Sequence, residues 1–510
     1  MTENMEPEKL PESLVDPKEE YPPLKLVIPA MVALYLAVFL IAIDRTILGT
    51  AVPRITDEFN SFGDISWYES GFLLPLCMLQ LSFGLVYIVL TALVIIFEIG
   101  SIVCATASSS KALIVGRAIT GIGGAGIASG ALILINLLVP LSSRPKYSGG
   151  IGAMFGLASV IGPLVGGYLT AITWRWCFWI NVPIGGVAVI VLILLCPNRP
   201  PPSTPAPTLY GKVKQLDPIG FLLIAPGIVC LLFALQWGGQ KYPWGDGHII
   251  ALFVMAGVLC LAFVASQVWQ GDQRTIPARI ISQRTMIAAC FASVGIGSIM
   301  VVYSFYLPIW FQGIQGKSPQ SAGLSLLPLL LSQVVLVILG GIVTSVCGYY
   351  TPLLILGGAI SIVGSALITT WEIIAGVGFG LTLQQPNIAA QTVLSKADAP
   401  IGLSVLTFLQ FLGGSIFVTV CQTLLEAKLI EGLDGKVNLD ASTIANGGAT
   451  SIRTQVPDDK LEFVLQVYND ALGSIWYLAL ALSCLVFAAS FGFEWTSVKD
   501  NKEKAPEVQA

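Results

Sequence analysis

Between Leu26 and Phe491 this chain repeats one pattern: about 20 consecutive apolar residues, a short polar break, then another apolar run. Coiled as a helix, a run of that length crosses the roughly 30 Å hydrocarbon core of a bilayer. Only 11% of the 510 residues are charged, against about 25% in a soluble domain. The deficit is spread along the whole chain, so a single anchor helix does not explain it. The expected fold class is an all-α polytopic membrane protein.

The runs fall at 26–51, 67–88, 89–106, 112–138, 149–171, 178–196, 219–236, 249–267, 285–311, 322–346, 353–370, 373–393, 401–425 and 471–491, fourteen in all. With the N-terminus inside, Arg144, Lys146, Arg199, Lys212, Lys214, Arg274, Arg279, Arg284, Lys396, Lys499, Lys502 and Lys504 fall on the cytosolic side, as the positive-inside rule expects. The proline-rich stretch 197–208 cannot continue a helix and ends the first six spans. The reading is a 6+2+6 layout. Residues 1–25 form a disordered cytosolic tail, 26–196 a six-helix bundle, 197–218 a cytosolic linker and 219–272 two additional helices. Residues 273–493 form a second six-helix bundle with an exoplasmic loop at 426–470, and 494–510 a cytosolic tail. The halves carry no clear internal sequence repeat.

The charges inside the runs are informative because they are few. Arg117 cannot shed its proton, and at the bilayer centre it costs roughly 2.5–3.5 kcal/mol on insertion scales. It needs a protein interior or wet cavity with an acidic partner, which points to a route for ions or solutes. A structural ion pair locking two helices is the alternative. Asp44, Arg45 and Glu98 are the other intramembrane charges identified. Asp44 lies at a depth similar to Arg117, so Asp44 or Glu98 is expected to pair reversibly with it, with protonation of the carboxylate releasing the pair.

Other motifs are weaker. Gly121, Gly123, Gly124 and Gly126 satisfy a dinucleotide-binding pattern, but inside a membrane span, where the required strand and crossover are missing. Close helix packing is the better reading. In the fifth run, Gly152 with Gly156 and Gly162 with Gly166 share a face, Gly167 follows, and Pro163 bends the helix. Such a surface suits two bundles that rock across each other, or ordinary tight packing. Gln384, Asn387 and Gln391 follow helical spacing and, with Gln410, offer a polar cavity wall; helix–helix hydrogen bonding is the alternative. The ten cysteines lack a Cys-x-x-Cys pair, and His248 is the only histidine, which argues against zinc, a disulfide framework and most histidine catalysis. No enzyme, cofactor, metal or nucleic-acid function is expected.

Taken together, segments 42–47 (Ala-Ile-Asp-Arg-Thr-Ile), 116–125 (Gly-Arg-Ala-Ile-Thr-Gly-Ile-Gly-Gly-Ala) and 162–167 (Gly-Pro-Leu-Val-Gly-Gly) resemble three signature motifs of the major facilitator superfamily. The resemblance is strongest to its fourteen-span drug:proton antiporter branch. Segments 174–183 and 236–239 resemble fungal members that export mycotoxins, other metabolites and fungicides. The resemblance implies proton coupling through Arg117 and Asp44, with Glu98 as a further candidate. It also implies a gating and export motif in Gly162, Pro163, Gly166 and Gly167, to which Gly121, Gly124 and Gly156 are added as packing positions. The expected protein is a monomeric plasma-membrane exporter whose partners are a small amphipathic molecule, protons and the lipid bilayer; vacuolar or vesicle membranes stay open. Siderophore or amino-acid uptake, and a non-transporting sensor or defective paralogue, stay open as alternatives. One departure stands out: where the family places a basic cytosolic latch between spans two and three, residues 80–88 carry no charge. A second connection, at 369–374, is short. Either coding segments are missing from the sequence or the latch is absent.

Overall fold

The computed structural model describes residues 23–83, 90–139, 144–195, 218–239, 241–269, 277–395, 398–433 and 456–498. Of residues 80–88, where the family places its latch, 84–88 lie outside them, as does the proline-rich stretch 197–208. The described residues are helical apart from turns and one isolated bridge, Gly238 to Tyr242. α1 (Leu24–Phe59) leads through a 3-10 turn (Phe62–Asp64) into α2 (Ile65–Phe83). α3 (Leu90–Ala105), α4 (Ser110–Leu138), α5 (Arg144–Ile172), and α6 (Trp176–Trp179) continued by α7 (Asn181–Leu195) complete the first bundle. α8 (Pro218–Trp237) and α9 (Gly247–Trp269) form a hairpin beside it.

The second bundle begins with the single turn α10 (Ala278–Ile281) and α11 (Arg284–Ile309), which ends in a π-turn (Trp310–Ile314). It continues with α12 (Pro319–Ser325), α13 (Leu327–Cys347), α14 (Thr351–Ala366), α15 (Glu372–Leu383), α16 (Gln385–Val393), α17 (Ala399–Leu433) and α18 (Asp458–Ser490). Among the described residues, ten helical stretches are long and apolar enough to cross a membrane, and α3 and α14 are shorter apolar helices. α2 and the interrupted rod α15–α16 stand where the remaining two of the fourteen expected runs fall.

Helix ends follow local chemistry. The Ser109 side chain accepts from the Ala112 N–H and caps α4. Asn60, at φ 48°, and Gly348, at φ 88°, close α1 and α13 in the left-handed conformation. The expected single span 373–393 is broken at Gln384, because Pro386 has no N–H to offer the preceding turn. The expected exoplasmic loop 426–470 is also corrected, since α17 runs on to Leu433 and α18 starts at Asp458. Charges at Glu426 and Lys428 suggested an end there, but Leu429, Leu433, Val464 and Tyr468 continue a buried helical face beyond it. The expected short connection is a tight turn, with the Trp371 N–H donating to the Leu367 carbonyl at 2.7 Å.

The pairing of helices reveals a symmetry the sequence hides. α1 packs on α5 and α7, α2 on α4, and α3 on α4 and α7. In the second bundle α11 packs on α17 and α18, α13 on α15, and α14 on α15 and α18, which is the same scheme. The bundles meet along one seam, where α2 faces α17, α5 faces α12 and α13, and α1 faces α11. α8 touches both sides: Gln236 donates to the Gly63 carbonyl at 2.6 Å, and Thr423 of α17 donates to the Leu235 carbonyl at 2.9 Å. α9 packs on α8 and turns Ile250, Val254, Val258 and Leu261 outward.

Candidate functional site

A carboxylate or guanidinium is tolerated in an apolar bundle only when paired and hydrogen-bonded. α1, α2 and α4 meet so as to do this for four charges at once. Arg117 is fully buried; its Nη1 contacts Asp44 Oδ2, its Nε donates to the Tyr68 carbonyl at 2.8 Å, and its Nη2 lies 3.6 Å from Glu69 Oε2. Its guanidinium also stacks over the Phe72 ring at 4.5 Å. Arg45 turns to the other oxygen of Glu69, at 3.7 Å, and lies 4.9 Å from the ring of Phe411 on α17, across the seam. Asn181 of α7 donates to Asp44 Oδ1 at 3.2 Å and lies 3.2 Å from Ser101 Oγ. Two acids and two bases thus balance, and one of the bases reaches the opposite bundle.

Of the two acids expected beside Arg117, the structure brings in Asp44. Glu98 is buried on α3 with neither carboxylate oxygen hydrogen-bonded, close against Gly185 of α7. Glu69 is the residue that sequence reasoning missed. It lies near the start of an apolar run, where an acid reads as an interfacial end residue. The signal available was that Glu69 falls inside the run 67–88, which is otherwise uncharged.

The glycines separate by partner. A methyl added at Gly121 would overlap the Phe72 carbonyl, and one at Gly124 would press on Leu76 and Phe72, so both serve the contact of α4 with α2. Gly162 and Gly166 abut Thr46, Ile47 and Thr50 of α1, within their own bundle. The seam is met instead by Gly167, whose added methyl would press on Pro319 and Gln320, and by Pro163, whose carbonyl abuts Gly323. Gly156 stands opposite Val334, its added methyl 3.7 Å away, and Gly152 faces open space.

A small cavity of ≈ 30 Å³ lies on this seam, lined by Thr46, Ser159, Pro163, Met300, Tyr303 and Gln333 among others. None of the four expected cavity residues lines it. Asn387 lies 3.5 Å from Gln384, Gln391 is exposed, and Gln410 sets its backbone carbonyl against Gly297. The buried amide of this segment is Gln385, which accepts from Thr344. In the second bundle Tyr303, Ser365, Ser483 and Ser361 form a hydroxyl chain across α11, α14 and α18. Among the described residues, the fully buried ion pairs all lie in the first bundle.

Residues 34–418 match the profile of the Major Facilitator Superfamily. The chain is 43% identical over 499 residues to the MFS-type efflux pump MFS1 of Trichophyton rubrum, covering 94% of this chain and 93% of that protein. It is 43% identical over 482 residues to the rubrofusarin-specific efflux pump aurT of Gibberella zeae, covering 91% and 88%. It is 42% identical over 496 residues to the efflux pump aflT of Aspergillus parasiticus, covering 92% and 96%. Among solved structures, a bacterial homologue of the human lysosomal transporter Spinster, inward-facing and occupied, aligns with a TM-score of 0.63 at 16% identity, covering 92% of this chain and 97% of that one.

Proposed function

The chain belongs to the Major Facilitator Superfamily, and from that premise we propose that it is a proton-coupled exporter of amphipathic small organic molecules. The cargo class is secondary metabolites, mycotoxins or drugs, moved by alternating access across the plasma membrane. It is a multi-pass membrane transporter and not an enzyme. The observation that carries the coupling is the balanced cluster of Asp44, Arg117, Glu69 and Arg45, with Arg45 touching Phe411 across the seam.

A proton added to Asp44 removes one of the two charges holding Arg117. The guanidinium stays cationic and leans on Glu69, which loosens the hold of Glu69 on Arg45. Arg45 then changes its contact with Phe411, so a protonation inside one bundle alters the seam between the two. With the N-terminus in the cytosol, the Phe59 end of α1 faces outside. Cross-seam contacts at that end, Gln312 to the Thr50 carbonyl at 3.2 Å and Gln422 to the Phe62 carbonyl at 2.8 Å, support a state shut toward the exterior. A cavity of ≈ 30 Å³ is far below the roughly 300 Å³ or more of a small-molecule site. At this seam cavity, substrate would need the seam to dilate, and would then meet the Thr46, Ser159 and Gln333 side chains and apolar walls.

The test is efflux of the neutral dye Nile red from yeast lacking its own pumps. Expression should lower dye retention, and a protonophore should restore it. Retention that expression leaves unchanged, or efflux indifferent to the protonophore, refutes the reading.

A further inference from the structure

Gln422 of α17 is fully buried and spans the seam at the Phe59 end: its amide donates both to the Phe62 carbonyl of the first bundle and to Glu426 one turn along its own helix. Glu426 is itself buried, and among the described residues no cation forms an ion pair with it. The nearby Lys428 pairs outward with Glu431 at 2.8 Å. Among the described residues, the groups facing Glu426 are acidic or neutral. Asp64 faces it from the 3-10 turn across the seam, held by Ser110, and Tyr306 faces it from α11. Behind Tyr306 stands Tyr468 of α18, whose buried hydroxyl has no partner, with Asp57 of α1 beyond it. α8 meets this side through the Leu235 carbonyl and the Gln236 amide, both uncharged.

Burying an ionised carboxylate without a cation is strongly unfavourable, and a like charge across the interface adds to the opposition. Closing this seam on a charged Glu426 therefore works against itself, whereas closing it on the neutral acid satisfies Gln422. We propose that Glu426 is a proton-binding latch of the exterior gate: the gate shuts on the protonated carboxyl and opens as the proton leaves to the outer medium. This site is separate from the Asp44–Arg117 cluster, and it rests on the alternating-access reading above only for which side is outside. It makes exterior opening respond to external pH even when coupling at Asp44 is disabled.

The test is hydrogen–deuterium exchange by mass spectrometry on the full chain in lipid nanodiscs, following residues 60–68 and 419–433. Variants are compared with the native protein at the same pH, from mildly acidic to mildly alkaline. In the native protein, exchange beyond the intrinsic rate should rise with pH. Glu426→Gln keeps the shape and should stay protected throughout, about tenfold slower than native at the alkaline end, a difference of one decade in the opening equilibrium. Asp64→Asn removes the facing charge and should shift the native response to higher pH. Asp44→Asn should keep the native response while losing coupled export, which separates failure of this idea from failure of the transport reading. Exchange in Glu426→Gln that tracks the native protein, or an unmoved response in Asp64→Asn, overturns the proposal.

Discussion

Asp44→Asn keeps the size of the side chain and the hydrogen bond from Asn181 but deletes one of two negative charges that balance Arg117 and Arg45. At an effective permittivity of about 20, a unit-charge contact near 4 Å is worth about 4 kcal/mol. Glu69 lies 3.6 Å from Arg117 and 3.7 Å from Arg45, so it already serves two cations and offsets only part of the loss. Breaking a buried pair by removing one partner costs about 3–5 kcal/mol. The shared Glu69 puts the expected penalty at the lower end, about 3 kcal/mol, or roughly two decades in an equilibrium between bundle arrangements. The assay is substrate accumulation in proteoliposomes driven by an imposed pH gradient. Asp44→Asn and Arg117→Gln should each lower it about 100-fold, at about 1.4 kcal/mol per decade. The double variant restores charge balance. It should regain downhill exchange of substrate, because the bundle is again neutral, but not accumulation against a gradient. A double variant that accumulates substrate as the native protein does would show that the pair merely locks α1 to α4.

Gly167→Leu should abolish transport while leaving membrane insertion intact, because its side chain would meet Pro319 and Gln320 across the seam; Gly152→Ala, facing open space, should transport normally in the same dye assay. Asp398, between α16 and α17, is hydrogen-bonded by Arg279 through both oxygens and by Ser395, which holds its carboxyl below the usual aspartate range. A depressed folded-state value contributes stability above the unfolded value and loses it as pH falls through the folded one. Asp398→Asn should therefore melt slightly earlier than the native protein at neutral pH, and the two melting curves should converge in strong acid.

Hydropathy along the chain was enough for the all-helical multi-span fold, because insertion into hydrocarbon depends on local composition over about 20 residues. It was also enough for the demand that Arg117 find an acid, since a permanent cation carries that requirement wherever its helix packs. Which acid answers was decided by tertiary structure. Asp44 lies far from Arg117 in the sequence, and Glu69, which the sequence reading passed over, holds two cations. The 3.6-residue periodicity that sorts inside from outside in soluble helices is muted here, because the lipid surroundings are as apolar as the bundle core. For that reason the sequence could place Gly162 and Gly166 on one face without revealing that α1 covers it, while Gly167 and Pro163 meet the other bundle. Nor could hydropathy foresee the break at Gln384, because Pro386 leaves the run as apolar as a continuous span while removing a backbone donor. Five matching helix contacts in each half, repeated without repeated sequence, are likewise a product of packing: many apolar side chains fill the same interhelical space, so geometry persists where residue identity does not.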